Sequence, residues 1–355
     1  MKQGLSSLVD LAKEIERQND EKQDYMADTR SMSLSANGSI HLNMEGTNGD
    51  TMMLPVNATA ARQMGDKVGI PAKYFDKMKE NAPELLATNV NHWFATSPKK
   101  HLIRTLSGNV RAFLSDRYQR IDNVDVAQTI LPVLLDEGQG LTIQSCDITE
   151  SKMYIKAVMK SLQRDVKVGD TVEAGVWITN SEIGRGLFEV APFIHRLICM
   201  NGQKVNDAKF GRRHVGGRTV VNENTYRVLT DETLRADDHA FLLKARDVVK
   251  AAFDEKLFEA NVDKLRDTTE RKLEGNPVKA IEVLGKSTGL LVGEQTGILR
   301  HLIEGADLSQ YGVIQAVTRF SQDVESYDRA SELEELGGKL VDLTEREWKP
   351  IAIAA

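Results

Sequence analysis

In the strand-like segments between His101 and Thr179, a helical interval near 122–136 aside, the apolar residues of this chain recur at about every second position, and after Thr230 they recur every three to four. The first spacing fits one face of a strand and the second fits one stripe of a helix. Leu102, Arg104 and Leu106 alternate with Ile103 and Thr105, a Ser107-Gly108-Asn109 turn follows, and Val110 to Ser115 returns as the second arm of a hairpin. Leu141 to Ile148, Met153 to Met159 and Thr171 to Thr179 read as three further strands, with a Val168-Gly169-Asp170 turn among them. Downstream, Phe241, Leu242, Ala245, Val248, Val249 and Ala252 keep the helical period, and Leu257 to Leu273 continues it. Shorter helices are predicted over 278–286, 294–303, 311–323 and 329–343. The expected fold class is α+β, a central mainly antiparallel sheet with packed helices, followed by an all-helical C-terminal region.

The N-terminal part mixes both periods. Leu5, Leu8, Leu11 and Ile15 mark a helix, the stretch after it reads as a polar loop, and strands are predicted around Ser31 to Asn43 with a break at Asn37-Gly38. A strand over Thr51 to Val56 meets Asn57, an N-cap for a helix from Ala58. Pro71 and Pro83 each open a further helix, and Asp122 or Asn123 caps one that runs to about Asp136 despite Pro132. Three regions are expected: 1–50 as a helix and short hairpin, 51–230 as the α+β core, and 231–355 as the helical region.

Charge divides along the same line. Residues 90–230 carry 19 Lys and Arg against 14 Asp and Glu, whereas 231–355 carry 17 against 25. A basic centre therefore precedes an acidic tail, either as two ordinary solvated surfaces or as a centre that meets a polyanion. No apolar run reaches the roughly 18 residues of a membrane span, and two cysteines 53 positions apart form no metal-binding pair. The expectation is a cytoplasmic protein with no membrane partner, no cofactor and no disulfide.

Several residue groups invite a chemical reading. Gly285-Lys286-Ser287-Thr288 resembles the end of a phosphate loop, but the glycine five positions earlier is replaced by Ala280 and no strand precedes it. His195 and Cys199 would be neighbours on a helix opened by Pro192, the spacing of a thiol and its base, although the apolar surroundings favour a buried structural pair. Asp237-Asp238-His239 reads as a helix start, and Asp116, Asp122 and Asp125 as loop and capping acids or, less simply, as a Mg²⁺ site. None of these makes a firm catalytic centre.

Nucleic-acid chemistry has more residues behind it. Lys204, Lys209, Arg212, Arg213 and Arg218 stand against a single acid, Asp207, with Phe210 among them. Such a loop either tracks phosphates while its aromatic stacks on an unpaired base, or is merely solvated by its charges. Arg104, Arg111, Arg117, Tyr118 and Arg120 extend the same track if the hairpin lies beside it. Asn180, Ser181, Arg185 and Asn201 either shape turns or line a cleft where backbone N–H groups near Gly184 and Gly186 face a phosphate.

The strings RAFLSDRYQRIDN (Arg111 to Asn123), NSEIGRG (Asn180 to Gly186), RLICMNG (Arg196 to Gly202) and YGVIQAVTRFSQDVESYDRASELEELGG (Tyr311 to Gly338) resemble the phage/plasmid-like family known as domain of unknown function 932. The resemblance spans about Thr51 to Trp348. It implies a mobile-element setting, where DNA replication, recombination and evasion of host defence are the usual tasks, and it assigns no catalytic residues. Together with the basic centre it leads to an expected non-catalytic DNA-binding protein, acting on single strands in recombination or annealing and self-associating through its helices. The alternatives are a module whose acidic helices bind a host protein and a metal-dependent nuclease or hydrolase.

Overall fold

The computed structural model describes residues 2, 4, 5, 7–36, 40–45, 51–135, 140–205, 210–212 and 231–354. Helix α1 (Leu8–Glu21) is capped by the Ser7 hydroxyl, which accepts the Asp10 N–H, and runs directly into strand β1 (Lys22–Asp28). The chain continues through β2 (Met32–Ala36), β3 (Ile40–Glu45), β4 (Thr51–Pro55), α2 (Ala58–Lys67), α3 (Ala72–Asn81) and α4 (Pro83–Thr96). Asn57 caps α2 as its sequence predicts, accepting the Ala60 N–H. β5 (Lys100–Leu106) and β6 (Asn109–Ser115) form the expected hairpin, and Ser107 and Gly108 both have positive φ, as a two-residue turn of this twist requires. Then come α5 (Asn123–Leu134), β7 (Leu141–Ile148), β8 (Met153–Lys167), β9 (Asp170–Asn180), β10 (Phe188–Arg196), β11 (Asn201–Lys204) and β12 (Phe210–Arg212). The remainder is helical: α6 (Asp231–Ala251), α7 (Glu255–Glu270), α8 (Pro277–Thr288), α9 (Val292–Gly305), α10 (Gln310–Phe320), α11 (Tyr327–Val341) and α12 (Glu345–Ala352). The α+β class holds.

Three antiparallel sheets organise these elements. The largest has the order β11-β10-β9-β8-β7, with β12 also paired to β10. One of its faces, carrying Ile155, Val176, Ile178 and Val190, is buried under α1, α5 and α6. On the other face Tyr154, Trp177 and Phe193 meet Tyr327 of α11. Helix α7 closes the strand ends through Phe258, Val262 and Leu265 against Leu162, Val172 and Ile194. The sheets β1-β5-β6 and β2-β3-β4 enclose a second core with α2, α3 and α4, built around Phe75, Phe94, Phe113 and Leu42. A third core, among α8, α9, α10, α11 and α12, holds Leu333, Leu340, Trp348 and Ile351. Among the described residues no helix is long and apolar enough to cross a membrane.

The structure corrects four readings. The polar loop after α1 is β1, paired to β5 along its whole length, with Tyr25 and Ala27 turned to the second core. Asp237, Asp238 and His239 do not start a helix, because α6 already begins at Asp231. α12, whose Thr344 and Glu347 form a reciprocal cap, adds a helix beyond the last one expected from the sequence. Finally, Pro192 opens no helix: it lies inside β10, in the gap between the residues paired to β12 (188–190) and those paired to β11 (193–196). Its carbonyl accepts the Val205 N–H on that side, so its missing N–H falls where no ladder bond is required.

Candidate functional site

The strings Arg111 to Asn123 and Asn180 to Gly186 are each other's partners. β9 ends at Asn180, whose buried amide donates to the Ile121 carbonyl and to Asn123 Oδ1, both at 2.9 Å. Ser181 Oγ donates to the Ser151 carbonyl and accepts the Arg185 N–H, while the Ser181 carbonyl accepts from Tyr118 Oη at 3.0 Å. Glu182 places one carboxylate oxygen 2.6 Å from Arg111 Nη2 and the other 2.7 Å from the Asn123 N–H. That N–H is the first of α5, where a negative charge also meets the positive end of the helix. Gly184 adopts φ +73 and donates its N–H to Tyr118 Oη at 3.2 Å, so this amide is already used.

Arg104 anchors the joint from below. Its fully buried guanidinium reaches Asp24 at 2.9 Å, Asp122 at 2.7 Å and the Glu182 carbonyl at 2.9 Å. Burial works against its charge, but Asp122 and Asp24 outweigh burial and keep it protonated. Burial likewise opposes ionisation of Asp122, yet Arg104 and Lys22, the latter at 2.7 Å, hold its carboxyl at about 2. Both Asp122 oxygens are therefore occupied by cations, and among the described residues no acidic or histidine cluster is arranged for a metal ion.

A second joint ties Arg196 to Gly202 onto α10. Arg196 grips Asp170 with two bonds of 2.6 and 2.7 Å, Tyr311 Oη donates to the same carboxylate, and Arg196 Nη1 lies 3.2 Å from Cys199 Sγ. Asn201 donates to Gln315 Oε1 and Thr318 Oγ1. A Cβ on Gly202 would sit 2.1 Å from the Phe193 ring and 2.8 Å from the Ile194 carbonyl oxygen, so only glycine fits. His195 is a strand residue, buried, with Nδ1 3.1 Å from Glu173; burial pulls its pKa down. Because His195 lies on a strand, the helical spacing that would set it one turn from Cys199 is absent.

These contacts redraw the expected surfaces. Asn180 and Asn201 do not share a cleft: through Arg196, Asn201 registers with Val172, eight residues of β9 or about 26 Å from Asn180. Arg104, Arg111 and Lys204 are buried and paired internally, Lys204 with Glu189 and Glu335, so in this conformation they offer nothing to an external phosphate. Phe210 is stacked on Phe241 of α6 at 5.1 Å rather than free. Lys209, Arg213 and Arg218 lie outside the described residues, and Arg212 is described only as the last residue of β12. Gly285 to Thr288 closes α8 and is no phosphate loop.

What remains accessible is a groove of about 920 Å³ beside the first joint. Its floor is the segment 116–122, and its walls come from Met26 and Leu102, from Asp125 and Gln128 of α5, and from Asp238 and His239 of α6. Arg117 is exposed, and Arg120 is 58% exposed with one contact of 3.4 Å to Asp24. Burial and the Asp122 charge raise the pKa of Asp125. Gln119 donates to Asp238 at 2.6 Å and ties the floor to α6. No local pattern marks Asp24, Gln119 or Glu182 as site residues; the alternation of Tyr25 and Ala27 with Asp24 and Met26 is the sequence signal of β1.

Compared with known families, residues 111–334, more than half of the chain, match the model described as a domain of unknown function (DUF932). No curated protein and no solved structure matches the chain.

Proposed function

The chain belongs to that family, and on this premise we propose that it is a non-catalytic DNA-binding protein of a phage, prophage or plasmid that takes single strands along the groove at Arg117, Tyr118 and Arg120. The observation that carries this reading is the placement of α6. Its Asp238, His239 and Leu242 wall the groove, and its Phe241 holds Phe210 at the root of the basic run. One helix thus borders both the exposed arginines and Phe210.

Phosphate attraction requires only charge and reach, which Arg117 and Arg120 supply at the surface. The carboxylates Asp116, Asp125 and Asp238 in the same groove limit how many phosphates it takes. That balance favours a short single-stranded contact over a wrapped duplex. The mobile-element setting follows from the family resemblance, and a non-catalytic role is favoured because Asp122, the middle one of the three acids, is fully engaged by Arg104 and Lys22.

Fluorescence polarisation with a labelled single-stranded oligonucleotide tests the reading. The double substitution Arg117→Ala and Arg120→Ala should weaken binding and lower the salt slope by about 1.4, two contacts at about 0.7 each. An unchanged affinity and slope in the double variant would reject it.

A further inference from the structure

Helix α11 lies on a sheet face of unusual composition. By register, Lys156 of β8 stands opposite Trp177 of β9, and Tyr154, Phe193 and Lys204 share their side of the sheet. Lys156 Nζ is 4.3 Å from the centre of the Trp177 ring, and Lys204 Nζ is 5.8 Å from it. Two ammonium groups flanking an indole, with a phenol beside them, form the combination that takes a phosphate chain and its bases together. In this structure α11 covers that face, and it does so with acids.

Glu334 pairs with Lys156 at 2.5 Å, Glu335 pairs with Lys204 at 3.1 Å, and Asp328 accepts from Tyr154 Oη and Thr149 Oγ1, both at 2.9 Å. Lys156 and Lys204 thus each have a carboxylate of α11 over them, Lys204 together with Glu189 of β10 at 3.2 Å. As a purely stabilising contact this is a poor solution. Lys156 and Glu334 are both fully buried, Glu334 keeps one oxygen without a partner, and an apolar pair of similar size would hold the layers at least as well. Beside α11 the same face emerges in a pocket of about 210 Å³, floored by Tyr154, Trp177 and Lys204 and roofed by Ser331, Glu332 and Glu335.

We propose that α11 is an intramolecular polyanion mimic: its carboxylates occupy a sheet face that accepts single-stranded nucleic acid when the helix lifts away. Built on the single-strand reading above, this assigns a second, masked surface separate from the groove at Arg117 and Arg120. α11 then sets the fraction of molecules with the sheet face open, and the apparent Kd for that face scales inversely with this fraction.

The full-length Asp328→Asn, Glu335→Gln variant loosens α11 without changing the shape of either side chain. In polarisation assays it should bind a labelled single-stranded oligonucleotide about tenfold more tightly than the native chain, as its open fraction rises about tenfold. Adding Lys204→Gln should abolish the gain. Glu325→Gln with Glu345→Gln, which removes the same charge at two exposed positions, should leave affinity unchanged. An unchanged affinity in the α11 variant, a gain that survives Lys204→Gln, or an equal gain in the charge control each overturns the proposal. Arg117→Ala with Arg120→Ala, run in the same series, reports on the groove separately: it can lose binding while the α11 variant shows no gain, or the reverse.

Discussion

Replacing Asp122 with asparagine removes one charge from the centre of the first joint while keeping its shape. In the folded chain Arg104 and Lys22 overcome burial and hold this carboxyl at about 2, against an ordinary value of 3.8. The Asp122 side chain is 16% exposed, so water screens the interaction little. At 1.36 kcal/mol per tenfold change in proton affinity, that gap corresponds to about 2 kcal/mol of stability. The sign follows from the direction of the shift. A carboxyl depressed by folding contributes its full stabilisation above its unfolded value, near pH 4, and loses it as the pH falls through 2. The amide of the Asp122→Asn variant has no such proton to bind. Urea unfolding of both proteins from pH 7 down to about 2.5 should therefore show the variant about 2 kcal/mol less stable at neutral pH, with a deficit that shrinks as the solution is acidified. Carboxylates away from the joint titrate alike in both proteins and cancel in the difference, whereas Asp125, whose pKa the Asp122 charge raises, adds a smaller change of its own. A deficit that keeps the same size at pH 2.5 and pH 7 would refute the ion-pair account.

The interface under α11 predicts a non-additive pair: Glu334→Ala alone, which strands buried Lys156, should cost about 3–5 kcal/mol in urea unfolding, whereas Lys156→Met with Glu334→Leu should cost far less. Gly202→Ala should lower the thermal midpoint, because its methyl would be driven against Phe193 and the Ile194 backbone, an overpacking that costs about 1–3 kcal/mol or more. The two thiols should separate by reactivity: burial pushes Cys146 up to about 11, while Cys199 is only half-buried. Brief iodoacetamide treatment at pH 8 followed by peptide mass spectrometry should find Cys199 alkylated and Cys146 unmodified until the chain is unfolded.

Local signals made much of the fold legible. Asn57 before Ala58, Pro83 at a first turn and the Ser107-Gly108 hairpin each specify their structure within a few residues, and the change of period at Thr230 separates the sheet from the helical region. Pro192 misled because its tolerance depends on β12 giving way to β11 beside it, a fact of pairing between distant strands. β1 is not legible locally because its charged residues hide an alternation that matters only once β5 lies alongside.

The site divides in the same way. Charge and composition identified Arg104, Arg111 and Lys204 as basic, and no local pattern distinguishes an arginine aimed at solvent from one aimed at Asp122. The family strings were visible as strings, but that the first pair and the second pair each form a joint appears only when the strands bring residues about 60 to 120 positions apart into contact. Backbone period, caps and turns act over one to four residues, so most of the elements and their α+β class can be read along the chain. Which cations are spent inside, which stay at Arg117 and Arg120, and which acids cover Lys156 follow instead from long-range pairing and from burial, where an unpaired charge is too costly to persist.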